Sequence, residues 1–168
     1  MKICDTVNSK LYKNDRAILH SDCNCFYASV ECLLNPNIRD LPVAVSGDAE
    51  NRHGIILAKN EEAKKYNIKT GEAIWQAKKK CPQLLTVPAR LDVYKKFSDK
   101  VRRIYSDYTD MVESFGLDEA WLDISEDYKN DALTIAKEIS QRVKDEIGIT
   151  VSIGVSFNKI FAKFGSDY

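Results

Sequence analysis

Two stretches of the chain repeat apolar residues every three or four positions: Leu91, Tyr94, Phe97, Val101, Ile104 and Tyr108 in one, and Ala132, Ile135, Ile139, Val143 and Ile147 in the other. That period puts each set on one face of a long amphipathic helix, which has to bury the face against something. The surrounding sequence is strand-like. Residues 17–22 form a short apolar run ending at a carboxylate. Residues 111–115 and 120–124 flank Gly116-Leu117-Asp118-Glu119, the form of a tight hairpin. Val151, Ile153 and Val155 alternate with Thr150, Ser152 and Gly154. Strands paired as hairpins, with two long helices packing on one face, make an α+β fold.

The rest of the chain follows the same signals. Phe26, Val30, Leu33 and Leu34 recur at helical spacing until Asn35-Pro36 stops the helix. Residues 43–45 and 54–57 read as two more strands, with turn-rich residues 47–52 between them. Lysine-rich helical stretches cover 60–66 and 73–80, and a last helix starts near Asn158. Residues 1–15 are polar and aperiodic, an extension or edge segment, and no internal repeat is visible.

With 168 residues, 44% of them hydrophobic and 30% charged, the chain can bury a core without covalent staples. It has no apolar run long enough to cross a membrane and no signal-type start, so a cytoplasmic protein is expected. Five cysteines (4, 23, 25, 32 and 81) without a C-x-x-C, and two histidines far apart, support neither a disulfide framework nor a structural zinc site. They read as reduced thiols, since nothing completes a tetrahedral set around Cys23 and Cys25. The net charge of zero conceals a split: residues 59–80 carry a net +4, and residues 107–127 carry eight acids and no lysine or arginine. Such a chain can offer one surface to phosphate and another to a cation, or merely expose two solvated faces.

Asp22 and the pair Asp118-Glu119 each end an apolar strand. A carboxylate there is costly unless it is paired or metal-bound, and the nearest basic residues in sequence, Arg16 and Lys129, are poorly placed to neutralise a cluster. If the hairpin lies beside the first strand, three carboxylates converge without an obvious counter-ion, as a hard cation such as Mg²⁺ requires. Asp118 can equally well serve only the turn.

Ser21-Asp22-Cys23-Asn24-Cys25-Phe26-Tyr27-Ala28-Ser29-Val30-Glu31 resembles the D-x-N-x-F-(F/Y)-A-S-V-E motif of the Y-family of translesion DNA polymerases, also called the UmuC-like or ImpB/MucB/SamB family. Residues 115–123 resemble its second motif, S-x-D-E-(A/S)-(F/Y/W)-L-D, with Gly116 where Ser is usual. Gly154-Val155-Ser156-x-Asn158-Lys159-x-x-Ala162-Lys163 resembles the third. The motifs keep their order across residues 16–168.

The resemblance implies a palm of antiparallel sheet and two long helices over 16–26 and 85–168, and small fingers over 27–84. It also implies two-metal nucleotidyl transfer from a dNTP to a primer 3′-hydroxyl on primer–template DNA, with lesion tolerance. Asp22, Asp118 and Glu119 would be the catalytic metal ligands, joined by the backbone carbonyl of Cys23, with Mg²⁺ as cofactor and Mn²⁺ as its substitute. Tyr27 would be the steric gate against a ribose 2′-hydroxyl, and Cys25, Phe26, Ala58 and Lys64 the other nucleotide-binding positions. Lys159 and Lys163 would meet DNA.

The common T-x-x-Y-x-x-R pattern of the fingers is replaced by Ala58, Glu61 and Lys64, a departure for which Lys59, Asn60 and Lys65 are candidate compensators. The family's D-x-x-K-P, thumb and little finger would follow Tyr168, so palm plus fingers is expected here, with a sliding clamp reached through the missing regions. The rival readings are a catalytically impaired scaffold or DNA-binding module and a palm-fold nucleotidyl cyclase.

Overall fold

A computed structural model describes residues 16–47, 54–126 and 131–168. The expected extension at 1–15 and most of the turn at 47–52 lie outside them. In chain order the elements are β1 (Ile18–Cys23), α1 (Phe26–Leu34), β2 (Val43–Ser46), β3 (Ile56–Lys59), α2 (Glu61–Lys64), α3 (Ile74–Lys80), β4 (Leu85–Pro88), α4 (Leu91–Ser106), β5 (Val112–Phe115), β6 (Glu119–Asp123), α5 (Ala132–Arg142), β7 (Val151–Ser156) and α6 (Lys159–Asp167). They form two compact units, Met1–Asn24 with Lys95–Tyr168, and Cys25–Tyr94.

The first unit is built on an antiparallel sheet ordered β5-β6-β1-β7. Successive side chains of a strand point to opposite faces. On one face of β1, the Ser21 hydroxyl lies 2.7 Å from that of Tyr105 on α4. On the other, His20 Nδ1 lies 2.7 Å from Ser166 Oγ on α6. The sheet is thus covered on both sides, where the sequence suggests helices on one. Gly154 makes the second layer possible: a Cβ there would sit 1.9 Å from the Ala162 carbonyl oxygen and 2.6 Å from the Ser166 nitrogen. Helices α4 and α5 are tied at their ends, where Tyr108 donates to Glu138 at 2.8 Å and Arg142 to Asp107 at 2.8 Å.

The second unit holds a three-stranded sheet ordered β3-β2-β4, with β2 antiparallel to β3 and parallel to β4. Strand β4 is not legible in the sequence, because Leu85-Thr86-Val87-Pro88 is short and ends in proline. Its pairing with β2 holds residues 85–88 in this unit, which runs on to Tyr94, whereas the sequence reading assigns 85–94 to the palm and draws the borders at 26/27 and 84/85. The core comprises Ala44, Ile56, Ala63, Ile68, Ala77, Cys81 and Leu84. Asn60, a candidate compensator in the sequence, spends its side chain on this architecture. Its side-chain oxygen accepts from the Ala63 and Val43 nitrogens at 3.0 and 2.9 Å, and its amide donates to the Leu41 carbonyl at 2.7 Å.

Candidate active site

The register of β1 against β6 sets Asp22 directly opposite Glu119. Side chains opposite one another share a face and lie within reach, and like charges in that position repel. The hairpin between β5 and β6 brings the third acid. Gly116 takes φ +65°, a left-handed conformation that suits glycine and accounts for its presence where the family pattern has serine. The Asp118 carbonyl then accepts from the Cys23 nitrogen at 2.9 Å, closing the turn onto the end of β1. The geometry reports itself in the acids: burial, then the charges of Glu119 and Asp118, push the Asp22 carboxyl up to about 6, and burial with Glu119 also raises Asp118.

The expectation of an uncompensated cluster does not hold. Lys163 Nζ donates to Glu119 Oε2 at 2.7 Å, and His20 Nε2 is 3.1 Å from the same oxygen. Lys163 lies 44 residues from Glu119 in sequence, and only α6 packed over Gly154 brings it across the sheet. Burial is the leading cause that lowers the His20 pKa, with Lys163 next, and the ring lies edge-on to Trp121, centroids 4.7 Å apart. Among the described residues no group of three His, Cys, Asp or Glu is gathered tightly enough to hold a metal ion. The donor chemistry nevertheless suits a hard cation. The acids are oxygen ligands, two are raised by crowding and burial, and the Cys23 thiol is buried and held far above its usual range, leaving no thiolate to compete.

Lys159, expected to meet DNA, is ion-paired with Glu113, and Lys163 also has Asp167 at 3.6 Å. Glu113 and Glu119, on the two strands of the hairpin, therefore draw their counter-ions from α6. The four cysteines among the described residues are free thiols.

In the second unit Cys25 caps α1 with φ +51°, and its thiol donates to Glu61 at 3.3 Å. Lys64 donates to the same carboxylate oxygen at 2.7 Å. Burial lowers the Lys64 pKa, but its bonds to Glu61 and Cys25 outweigh this and raise it. Lys65 pairs with Glu62 and Lys80 with Glu72, so these lysines are neutralised locally, while Lys59 at the end of β3 donates to the neutral Thr70 hydroxyl. Ala58 lies on β3 opposite Val45. Phe26 is buried, and Tyr27 is stacked on Tyr94. Sequence reasoning missed Tyr94 and its partners Glu31 and Arg90, because Tyr94 reads as one more apolar position of a helix.

The family model described as impB/mucB/samB matches residues 21–167. The chain belongs to the impB/mucB/samB family. DNA polymerase IV of Acetivibrio thermocellus is 61% identical over 154 residues, which cover 90% of this chain and 39% of that protein. DinB from Sulfolobus solfataricus superposes with a TM-score of 0.85 at 31% identity, over 90% of this chain and 45% of its own. The insertion ternary complex of Dbh DNA polymerase gives a TM-score of 0.85 at 30% identity, again over 90% and 45%. The family's Y-family palm-and-fingers fold is thus present in a chain spanning less than half the length of these relatives.

Proposed function

We propose that the chain is the palm and fingers of a template-directed DNA polymerase for translesion synthesis, which adds deoxynucleotides from dNTPs to a primer 3′-hydroxyl on primer–template DNA. The observation that carries this reading is the cross-strand pairing of Asp22 with Glu119, with Asp118 beside them in the turn: acids gathered where they repel one another. Packing has no use for that repulsion, whereas a hard divalent cation does.

Asp22, the Cys23 carbonyl, Asp118 and Glu119 would hold Mg²⁺, or Mn²⁺ in its place. When bound, two such ions supply activation of the primer hydroxyl and charge neutralisation on the leaving pyrophosphate. The chain's own groups prepare for this. Lys163 holds one oxygen of Glu119, so its ammonium would compete with a cation for the carboxylate, and Asp167 offers that ammonium a second partner. Asp22, raised to about 6, keeps a small protonated fraction at neutral pH that a cation would displace.

Tyr27 would exclude the ribose 2′-hydroxyl. Lys64, with Cys25, Phe26 and Ala58, would serve the nucleotide by exchanging the Glu61 carboxylate for a phosphate. Lys159 and Lys163 would do the same for DNA. The remaining polymerase domains, a sliding clamp and the cytoplasm complete the proposed setting; among the described residues no helix is long and apolar enough to cross a membrane.

One observation favours a second reading, a scaffold of the same fold without catalysis: Lys64 and Lys163 are both held by carboxylates of the chain itself. Primer extension separates the two. In the protein with every domain that extension requires, Asp118→Ala should abolish extension and leave the circular dichroism spectrum unchanged. Extension at the unmodified rate overturns the two-metal assignment, and an unmodified protein inert with both Mg²⁺ and Mn²⁺ is the scaffold.

A further inference from the structure

The ring of Tyr27 is held in place by a buried chain of contacts. It lies nearly parallel to Tyr94, with centroids 4.4 Å apart and planes 12° from parallel. Tyr94 is fully buried, and its hydroxyl donates to Glu31 Oε1 at 2.8 Å. Glu31 is only 3% exposed, and Arg90 grips both of its oxygens, Nε to Oε1 at 3.0 Å and Nη2 to Oε2 at 2.5 Å.

The four residues form two matched pairs. Tyr27 and Glu31 are one helical turn apart on α1. Arg90 and Tyr94 are one turn apart at the start of α4, where the Tyr94 nitrogen bonds the Arg90 carbonyl at 3.1 Å. Residues four apart on a helix lie on the same face, so ring meets ring and ion meets ion. All four lie within one compact unit. The bidentate guanidinium fixes the carboxylate plane, the carboxylate fixes the height and rotation of Tyr94, and Tyr94 fixes the plane on which Tyr27 rests.

We infer that Tyr94, held in place by Glu31, is a positioning residue for sugar selection, setting how far the Tyr27 ring projects. This rests on the reading of Tyr27 as the steric gate. A gate that rejects a single hydroxyl works by displacements of a fraction of an ångström. An unsupported ring would change rotamer and yield, whereas a ring laid against a buried, hydrogen-bonded one cannot. A pair that merely supported the fold would slow ribo- and deoxynucleotide addition alike. A positioning pair changes their ratio.

The test is kcat/KM for a ribonucleoside triphosphate relative to its deoxy counterpart, in single-nucleotide extension by the protein with every domain that extension requires. Tyr27→Ala should raise the relative use of ribonucleotide most. Tyr94→Phe keeps the ring and the Glu31–Arg90 pair, so it should fold, and should raise the ratio by roughly three- to tenfold through loss of one hydrogen bond to a charged group. Glu31→Gln leaves an oxygen for the Tyr94 hydroxyl to donate to, and should stay within about twofold of the unmodified ratio. The inference is overturned, with the gate reading intact, if Tyr27→Ala raises the ratio and Tyr94→Phe does not, or if Tyr94→Phe slows both sugars equally. If Tyr27→Ala leaves the ratio unchanged, the gate reading falls and the inference falls with it.

Discussion

Glu31 and Glu119 each lie beside a basic side chain, one in each unit, and their other neighbours set them apart. Glu31 has both oxygens engaged by Arg90 and Tyr94. Glu119 shares one oxygen between Lys163 and His20 and faces Asp22 across the sheet. A satisfied buried carboxylate belongs to the architecture. A carboxylate crowded by other acids, with a cation that has a second place to go, is the one that the proposed function assigns to a ligand.

Conservative replacement should separate the two most sharply. Glu119→Gln should cost primer extension about a thousandfold or more, the equivalent of roughly 4 kcal/mol of transition-state stabilisation. Glu31→Gln should leave deoxynucleotide addition within a few-fold. Equal losses would erase the distinction.

Removing the group altogether reverses the order for stability. Glu31→Ala leaves a buried Tyr94 hydroxyl unpaired and strands Arg90, and should lower the free energy of unfolding by about 2–4 kcal/mol in chemical denaturation. Loss of less than about half a kcal/mol would show that the pair is not structural.

Asp22→Asn should act in the opposite direction. Folding raises the Asp22 carboxyl from 3.8 to about 6, so the native state binds this proton more tightly than the unfolded chain. The associated stability is present below about pH 4 and lost as pH rises through about 6. The asparagine variant should therefore gain about 1–2 kcal/mol at pH 7 relative to the unmodified protein and lack that slope between pH 4 and 6. Added Mg²⁺ should restore stability to the unmodified protein alone. A variant less stable at pH 7, with the slope retained, would mean that Asp22 is not strained.

The smallest effect is expected at Lys163. Without its ammonium, Glu119 is freer for a cation, and Lys163→Met should lower the midpoint of a Mn²⁺ titration followed by thermal shift by a few-fold. The metal-free protein should lose about 0.5–1 kcal/mol, as a partly exposed ion pair would. An unchanged midpoint would show that the ammonium does not compete with the metal.

Much of this was legible in the residues. The helical periods of α4 and α5, the strand ending at Asp22 and the Asn35-Pro36 stop are local patterns, and local patterns follow from side-chain size and backbone preference. The first two motifs singled out Asp22, Asp118 and Glu119 because each motif is a short run of adjacent residues. Strand β4 escaped because four residues ending in proline carry little period of their own; only the parallel pairing with β2 makes them a strand. Asn60 could be offered as a compensator because its two backbone donors, from Val43 and Ala63, become neighbours only when β2 and α2 are packed.

The chain's own order of residues determined the α+β class, the family and which carboxylates to propose as metal ligands, because each rests on short runs of residues and their local patterns. The tertiary structure decided how those groups are held. Lys163 reaches Glu119 across 44 residues, and Arg90 reaches Glu31 across 59. Charge and hydrogen bonding depend on distance in space, and over such separations only the packed sheets and helices set that distance.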